Sequence, residues 1–177
     1  MPKKTELVRF EEVVLPHLGA AYNLARWITG NQQDAEDVVQ ESYLRALKFF
    51  GGFRGENGRP WLLTIVRNTC FTWLRQNRFS ELNTELDEDI HYKERVPENP
   101  ESILLAAAQS EIVRKAIEEL PPEFREVIIL REMEDMSYKE IAGIASIPVG
   151  TVMSRLARAR SRLQELLSGP MATRVGL

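Results

Sequence analysis

Arginines near the C-terminal end of the sequence carry its clearest chemistry. Over residues 148–167 the apolar side chains recur at spacings of three and four and form one stripe, which is typical of an amphipathic helix. At about 100° per residue, Ser154, Ala157 and Arg158 point away from that stripe. An arginine can bond O6 and N7 of guanine together in the major groove, and small neighbours let the helix approach the base edges. The pattern predicts a helix that reads duplex DNA.

The preceding residues supply the elements that must position this helix. Ser137 and Glu140 have the spacing of a capping box, and Met136 and Ile141 can form a hydrophobic staple around it. Pro148 predicts that the next helix begins there, because proline is favoured in a first turn. This order is that of a helix-turn-helix motif. Arginines on a surface helix can also be solvated without function, but the capping box and the turn proline favour DNA reading.

A second basic segment lies in the N-terminal half. Residues 59–79 contain four arginines and no acidic residue, with aromatic side chains interleaved. Basic groups hold a nucleic-acid backbone and aromatic faces stack on bases, so the combination suits single-stranded or opened DNA. Trp61, Phe71 and Trp73 recur at helical spacing, which favours a place in the core for these three rings. Candidate contacts are therefore the arginines and the Gly-, Asn- and Pro-containing loop over residues 53–60.

An acidic helix is expected over residues 34–50. Its first turns carry Asp34, Glu36, Asp37 and Glu41 and no basic residue. Part of this arrangement stabilises the helix dipole, but the density also leaves a negative patch that suits a basic partner. A metal enzyme is the alternative, since Asp37 and Glu41 share one helix face. It is disfavoured because helix-bundle metal sites usually pair glutamate with histidine, and no histidine lies in this segment.

Composition excludes several classes of protein. The chain has 177 residues, no long apolar run and no secretory leader, so we expect neither membrane insertion nor secretion. Cys70 is the single cysteine, which excludes an intrachain disulfide and a cysteine-rich zinc site. Its apolar helical setting predicts a core position. These features indicate a cytoplasmic protein.

Charge divides the chain into three parts. Residues 1–79 carry 11 basic and 8 acidic side chains, a net charge of +3. Residues 80–101 carry 2 basic and 8 acidic side chains, a net charge of −6. Residues 102–177 carry 10 basic and 10 acidic side chains. Phosphate neutralisation supplies most non-specific DNA affinity, so a chain without a net basic footprint should bind DNA weakly alone. A partner would have to contribute the remaining affinity.

The fold class predicted is all-α, with two small helical domains joined by a flexible acidic linker. The domains are expected at residues 1–79 and 100–177, with the linker at residues 80–99 and a helix start at Asn99-Pro100. Pro16 should kink or end a helix over residues 10–30. A twenty-residue linker can extend to about 66 Å, so the two domains could sit nearly two turns of duplex apart.

The order of these motifs resembles that of the bacterial RNA polymerase sigma-70 family, in its small extracytoplasmic-function (ECF) group. Residues 34–41 (DAEDVVQE) are similar to conserved region 2.2, and Phe53-Arg54-Gly55 followed by residues 61–69 is similar to regions 2.3 and 2.4. The helix-turn-helix is similar to region 4.2. The resemblance covers about Phe10 to Leu167, and the short linker leaves no room for a region 1.1 or region 3 domain.

The resemblance implies roles for individual residues. The β′ clamp helices of core RNA polymerase would bind Asp34, Glu36, Asp37, Val38, Gln40 and Glu41. The melted −10 strand, with one base flipped into the loop, would be held by Arg54, Gly55, Glu56, Asn57, Arg59, Arg67, Asn68, Arg75 and Arg78. The −35 duplex would be read by Thr151, Ser154, Arg155, Ala157, Arg158 and Arg162.

The resemblance also implies partners beyond the clamp helices. It implies the β flap of the polymerase, promoter DNA and an anti-sigma factor that could hold the chain near a membrane; it implies no cofactor and no catalysis. Position 153, often basic in the family, is Met153 here. A stand-alone helix-turn-helix regulator remains the alternative. It would account for residues 121–167 but not for the acidic helix or the arginine–aromatic segment, and it would usually require a dimer interface.

Overall fold

The computed structural model describes residues 3–78 and 110–169, and these residues form helices joined by short turns with no β-strand among them. The N-terminal half contains α1 (Lys4–Val14), α2 (Leu18–Thr29), α3 (Gln32–Phe49) and α4 (Gly58–Arg78). The C-terminal half begins with helical residues 110–118, here α5. It continues with α6 (Pro122–Ile128), a π-helical turn (Ile129–Met133), α7 (Tyr138–Ala145) and α8 (Val149–Ser168). The all-α prediction is confirmed.

The break predicted at Pro16 is confirmed. Pro16 lies in a 3-10 turn, Leu15–His17, which separates α1 from α2 because proline cannot donate the backbone hydrogen bond that a continuous helix needs. Helix α2 then ends at Gly30, whose φ of 88° is left-handed and suits a residue without a side chain. Asn31 caps α3, because its side-chain oxygen accepts a hydrogen bond from the backbone N–H of Asp34 at 2.8 Å.

Helix α4 is the central element of the fold. It packs against α1, α2 and α3 on one side and against α7 on the other. Leu62, Leu63, Val66 and Cys70 on this helix are completely buried. The two halves are therefore in direct contact, although the predicted linker is long enough to let them separate. That linker, and the helix start predicted at Asn99-Pro100, lie outside the described residues.

Aromatic rings close the end of the N-terminal half where α4 begins. Phe50 packs edge-to-face on Phe10 with ring centroids 5.2 Å apart, and Phe53 lies 5.0 Å from Trp61. Trp61, Phe71 and Trp73 are partly buried against the core. The prediction that these three rings are structural agrees with their positions. Phe50 and Trp61 pack on Phe53 and so hold the start of the loop over residues 53–57 against the helices.

The first turn of α4 approaches α1 closely. The helix begins at Gly58, earlier than the loop predicted over residues 53–60 would allow. A Cβ atom at Gly58 would lie 2.5 Å from the backbone oxygen of Val13 and 2.5 Å from its Cγ1. Only glycine fits this approach without moving α1, and the sequence pattern of the loop does not reveal it.

We expect Gly58→Ala to lower the free energy of unfolding by about 1–3 kcal/mol, the usual cost of forcing a methyl group into a filled site. Gly19→Ala in α2 is the control, because nothing lies within 4 Å of a Cβ atom there. That change should be neutral or stabilising by up to about 1 kcal/mol. Chemical denaturation of both variants measures the difference. Equal stability of the two variants would show that α1 moves away from α4 at little cost.

Candidate nucleic-acid interface

The helix-turn-helix is built as the local signals predict. Ser137 accepts a hydrogen bond from the backbone N–H of Glu140 at 3.1 Å, and the Glu140 carboxylate accepts one from the backbone N–H of Ser137 at 2.8 Å. This reciprocal pair is the predicted capping box. Helix α7 ends at Ser146, whose φ of 55° is left-handed, and Pro148 caps α8. The left-handed residue Ser146 and the extended residue Pro148 thus form the turn between α7 and α8.

Helix α8 presents the predicted polar face to solvent. Val152, Leu156 and Ala159 are buried and hold the helix on the core. Four of the six predicted −35 contacts, Ser154, Ala157, Arg158 and Arg162, are exposed, and the other two, Thr151 and Arg155, are half-buried. Met153 is also exposed, at 54 %. Among these predicted contacts on the exposed face, Arg162 pairs with Glu165 at 3.1 Å, and no charged partner of Arg158 is found within the described residues.

Arg155 differs from the other predicted −35 contacts. Its side chain turns towards α6, where its Nη1 lies 3.7 Å from Oε1 of Glu126. Glu126 has no solvent exposure. Helical periodicity places Arg155 on a flank of α8, and tertiary packing directs that flank into the protein. In this arrangement the charge of Arg155 is directed to Glu126, and 24 % of its side chain remains exposed.

The loop over residues 53–57 presents its polar residues outward. Arg54, Gly55, Glu56 and Asn57 are exposed, whereas Phe53 is buried. Arg54 Nη1 donates to the backbone oxygen of Gly51 at 2.9 Å. Asn57 accepts a hydrogen bond from the backbone N–H of Arg59 at 3.1 Å. The loop thus presents exposed polar side chains above the buried ring of Phe53.

Two predicted strand-binding arginines of the N-terminal half are half-buried and pair with carboxylates of the C-terminal half. Arg59 Nη2 donates to Oε2 and to the backbone oxygen of Glu134, both at 2.7 Å. Arg67 donates from Nε to Oε2 of Glu126 at 2.7 Å and from Nη2 to Oε1 at 3.1 Å. The Arg67 guanidinium also covers the Phe71 ring, 4.0 Å from its centroid. Both arginines form charge-assisted pairs of the strong kind.

The remaining predicted strand contacts follow Arg67 along α4. Asn68 and Arg75 are exposed. Arg75 Nη2 lies 3.4 Å from the hydroxyl oxygen of Thr72, which leaves its charge directed to solvent. The side chain of Arg78 lies outside the described side chains. Arg54, Asn68 and Arg75 therefore remain exposed in the same half whose Arg59 and Arg67 are engaged.

The acidic helix has one exposed polar face. Glu36, Asp37, Gln40 and Glu41 are exposed, and Asp34 is half-buried next to its cap Asn31. Glu41 accepts a hydrogen bond from Nε of Arg45 at 3.0 Å.

Val38 does not belong to the acidic surface. It is 2 % exposed, because its position on α3 faces the core of the N-terminal half, where Ala35 and Ala46 are also buried. In the sequence it lies within the signature, but the structure shows that it anchors the helix. Leu44, 61 % exposed, is the apolar residue that borders the acidic face.

Metal binding finds no support among the described residues, which contain no group of three or more histidine, cysteine or carboxylate side chains placed to hold an ion. Across the same ranges, no helix has the length and apolarity needed to span a membrane.

Comparisons with known proteins match both halves. The sequence matches the family described as Sigma-70 region 2 over residues 13–80 and the family described as Sigma-70, region 4 over residues 110–163. The ECF RNA polymerase sigma-E factor of Salmonella typhimurium strain LT2 is 38 % identical over 137 residues, which cover 73 % of this chain and 72 % of that protein. The chain belongs to the ECF sigma factors.

Other relatives extend the likeness along the sigma factor. The ECF RNA polymerase sigma factor SigE of Mycolicibacterium smegmatis is 33 % identical over 90 % of this chain, and this chain spans 62 % of its length. The sigma factor RpoE, solved with the anti-sigma factor NepR from Bartonella quintana, has a TM-score of 0.73 and 30 % identity, covering 91 % of this chain and 98 % of that one. CnrH, solved with the cytosolic domain of CnrY, has a TM-score of 0.63 and 27 % identity, covering 89 % and 86 %.

Sequence reasoning missed the acidic partners of the arginines. Glu126 and Glu134 flank an apolar run and resemble ordinary surface acids, and no local signal distinguishes them. Asn23, whose Nδ2 donates to Oε1 of Glu134 at 2.8 Å, was missed for the same reason. The cap at Asn31 could have been found, because an asparagine three residues before an acid at a helix start is a capping signal.

Cys70 lies beside the Glu126–Arg67 pair in the sigma factor. Burial and, to a smaller extent, the charge of Glu126 raise the pKa of its thiol, the charge of Arg67 opposes them, and together these effects bring the pKa to about 12. Burial also raises the pKa of Glu126, against hydrogen bonds from Arg67 and the charges of Arg67 and Arg155. Cys70 therefore stays a neutral thiol across the physiological range, and its predicted core position is confirmed.

We expect thiol reagents to modify native Cys70 at pH 8 about a thousandfold more slowly than the unfolded chain, since the thiolate is the reactive form and the pKa rises from 9.0 to about 12. The rate should increase about tenfold per pH unit up to the pKa. Absorbance assays with an aromatic disulfide, with and without denaturant, measure both rates. Fast stoichiometric labelling of the folded chain would contradict the buried position.

Proposed function

We propose that this sigma factor binds core RNA polymerase and directs promoter-specific initiation of transcription. Its C-terminal half reads the −35 duplex and its N-terminal half captures the melted −10 strand. One observation carries the proposal: a single chain presents an exposed acidic face on α3, an exposed polar loop beside an arginine-rich helix α4, and an exposed arginine face on α8. No catalytic step is assigned to it.

The polymerase contact falls on the exposed face of α3. Glu36, Asp37, Gln40 and Glu41 supply the charge and the hydrogen bonds, with Asp34 at its edge. Exposed Leu44 adds an apolar contact next to them. An acidic face bordered by an apolar side chain suits a basic, helical partner surface, and we place the β′ clamp helices here. The β flap is proposed to contact the C-terminal half.

The strand contact follows the loop and α4. Arg54, Gly55, Glu56 and Asn57 form the rim for a flipped base, and Asn68 and Arg75 continue along the backbone of the strand. Extruding a base costs a few kcal/mol, so contacts to that base must offset the cost. Arg59, Arg67 and Arg78 complete the proposed strand-binding set. Arg59 and Arg67 join it only after their carboxylate partners are released.

The duplex contact lies on the exposed face of α8. Arg158 is the central charged residue of this face, with Ser154 and Ala157 leaving room for close approach. Thr151 and Arg162 flank them, and Arg155 becomes available once it leaves Glu126. The bidentate geometry of arginine suits guanine. A stand-alone regulator would need α8 alone, so it leaves α3 and α4 without a role.

The functional units are proposed to be residues 1–79 and 100–177, joined by residues 80–99. Because the chain has a formal net charge of −3, free DNA binding should be weak and the polymerase should supply much of the affinity. Two solved relatives are complexes with an anti-sigma factor or with the cytosolic domain of a second protein. We propose that an anti-sigma factor likewise binds this chain, and that it acts in the cytoplasm, where core polymerase works.

Run-off transcription with core polymerase tests this function. Sequencing transcripts after overexpression identifies shared upstream elements, and a template carrying them is transcribed with core enzyme alone and with the added chain. We expect defined transcripts only when the chain is present. Failure to bind core polymerase, or binding without initiation on any such template, would overturn the proposal.

The double variant Glu36→Lys/Asp37→Lys separates polymerase binding from DNA reading within the same experiment. Reversing two exposed charges should abolish pull-down of core polymerase and the transcripts together. Glu11→Lys/Glu12→Lys on α1 changes the same net charge at exposed positions and should leave both unchanged. Equal loss in the two variants would indicate a general charge effect rather than a binding face on α3.

Arg158→Ala should reduce transcription from templates that depend on the −35 element by about 5- to 150-fold, since a bidentate arginine–guanine contact contributes about 1–3 kcal/mol. The difference in transcription between Arg158→Ala and the unchanged chain should become smaller on templates in which the contacted guanine is replaced. Arg160→Ala on the same helix is the matched control, because Arg160 pairs with Glu132 at 2.8 Å and lies outside the proposed contacts. An equal loss in Arg160→Ala would place the reading face elsewhere on α8.

A further inference from the structure

The face of α4 proposed to bind the −10 strand already has an occupant. Glu126 of α6 accepts two hydrogen bonds from Arg67, at 2.7 and 3.1 Å, and is completely buried by this contact and its surroundings. Fork-shaped pairing of this kind is how arginine binds a carboxylate and also how it binds a phosphate. The Glu126 carboxylate therefore takes the geometry that a strand phosphate would require.

A second carboxylate repeats the arrangement at the start of α4. Glu134 accepts hydrogen bonds from Arg59 through both its side chain and its backbone oxygen, each at 2.7 Å, and from Asn23 at 2.8 Å. Only 8 % of Glu134 is exposed. The Arg67–Glu126 pair spans 59 positions of the sequence, and the Arg59–Glu134 pair spans 75. Both pairs therefore depend on how the two halves pack, and not on local helix geometry.

Glu126 also engages the duplex-reading helix. Arg155 of α8 lies 3.7 Å from the same carboxylate that binds Arg67. One buried acid thus holds an arginine from each of the two elements proposed to contact DNA. Arg125, next to it in sequence, adds a further link between the halves, because its guanidinium donates to the backbone oxygen of Trp27 in α2 at 2.9 Å.

The energetics of buried pairs make this contact separable. Burying two charges has a desolvation cost that their mutual attraction roughly offsets, so such a pair adds little net stability. An arrangement that buries one of the two charges without its partner is strongly disfavoured. When the halves separate, both partners regain water or find new ligands. A DNA phosphate can replace the carboxylate on each arginine without leaving a buried charge.

We propose that the C-terminal half of this chain is an intramolecular ligand of the strand-binding face of α4, with Glu126 and Glu134 occupying the positions of strand phosphates. The free chain is closed, and it binds single-stranded DNA only after the halves separate. Core polymerase would favour separation by holding the two halves apart on the promoter. The proposal rests on the assignment of α4 to the −10 strand.

The test removes the two carboxylate charges without touching any arginine. Glu126→Gln/Glu134→Gln keeps the side-chain size but replaces one acceptor oxygen of each carboxylate with an NH2 donor, so each site loses its charge and one of its hydrogen bonds. Glu132→Gln is the matched control, because Glu132 is exposed and pairs with Arg160 inside the C-terminal half. Small-angle scattering measures the separation of the halves, and fluorescence anisotropy measures binding of a short fluorescein-labelled single-stranded DNA of mixed sequence at low ionic strength.

We expect wild type and Glu132→Gln to scatter as a compact particle, and the double variant to show a larger radius of gyration and about tenfold tighter binding of the labelled strand. An extended wild-type chain would overturn the proposal, and so would a double variant that matches wild type in both measurements. If the double variant does not fold by circular dichroism, the single variant Glu134→Gln is measured against the same two outcomes, because Glu134 retains some exposure.

Run-off transcription separates this proposal from the function on which it rests. A double variant that opens, binds the strand more tightly and still initiates with core polymerase supports both. An open variant that binds the labelled strand more tightly while no form of the chain initiates transcription would overturn the proposed function and leave the intramolecular contact standing. Opening without tighter strand binding would show that α4 is not the covered strand face.

Discussion

A buried carboxylate constrains this structure more than any other group. Glu126 has no contact with solvent, so its charge must be matched inside the protein, and Arg67 matches it with two hydrogen bonds while Arg155 approaches from a third helix. These contacts join α4, α6 and α8. A shift of any one helix would leave a charge buried without a partner, which costs far more than a lost surface pair. The packing of the two halves is specified by this requirement.

The same requirement links packing to nucleic-acid binding. Arginine can bind carboxylate and phosphate through the same bidentate geometry, so the side chains that hold the halves together have the chemistry that the proposed DNA contacts require. The proposed function requires the α4 and α8 surfaces to contact a promoter at the same time. In this structure Arg59, Arg67 and Arg155 face carboxylates, while Arg54, Arg75 and Arg158 remain exposed. Closure thus engages a defined part of each surface and leaves the rest accessible.

The arrangement of side chains on α4 is compatible with arginines that pair with the C-terminal half in the free chain and are proposed to bind DNA on a promoter. One side of α4 carries the buried residues Leu62, Leu63 and Val66, and the helix packs against α2 and α3 within the N-terminal half. Another side carries Arg59 and Arg67. Because the apolar and charged residues occupy different sides of one rigid helix, separation of the halves need not disturb the core. Gly58 positions the start of this helix by allowing it to approach α1.

Local patterns were enough to predict the all-α class, the break at Pro16, the capping box at Ser137 and the outward face of α8, because each depends on residues within one or two turns of helix. Tertiary structure alone decided that Val38 is buried, that Arg155 turns inward, and that Glu126 and Glu134 meet Arg67 and Arg59. Those outcomes depend on which surfaces of distant segments come together. Acids in a helix have the same local pattern whether water or an arginine from another helix satisfies their charge.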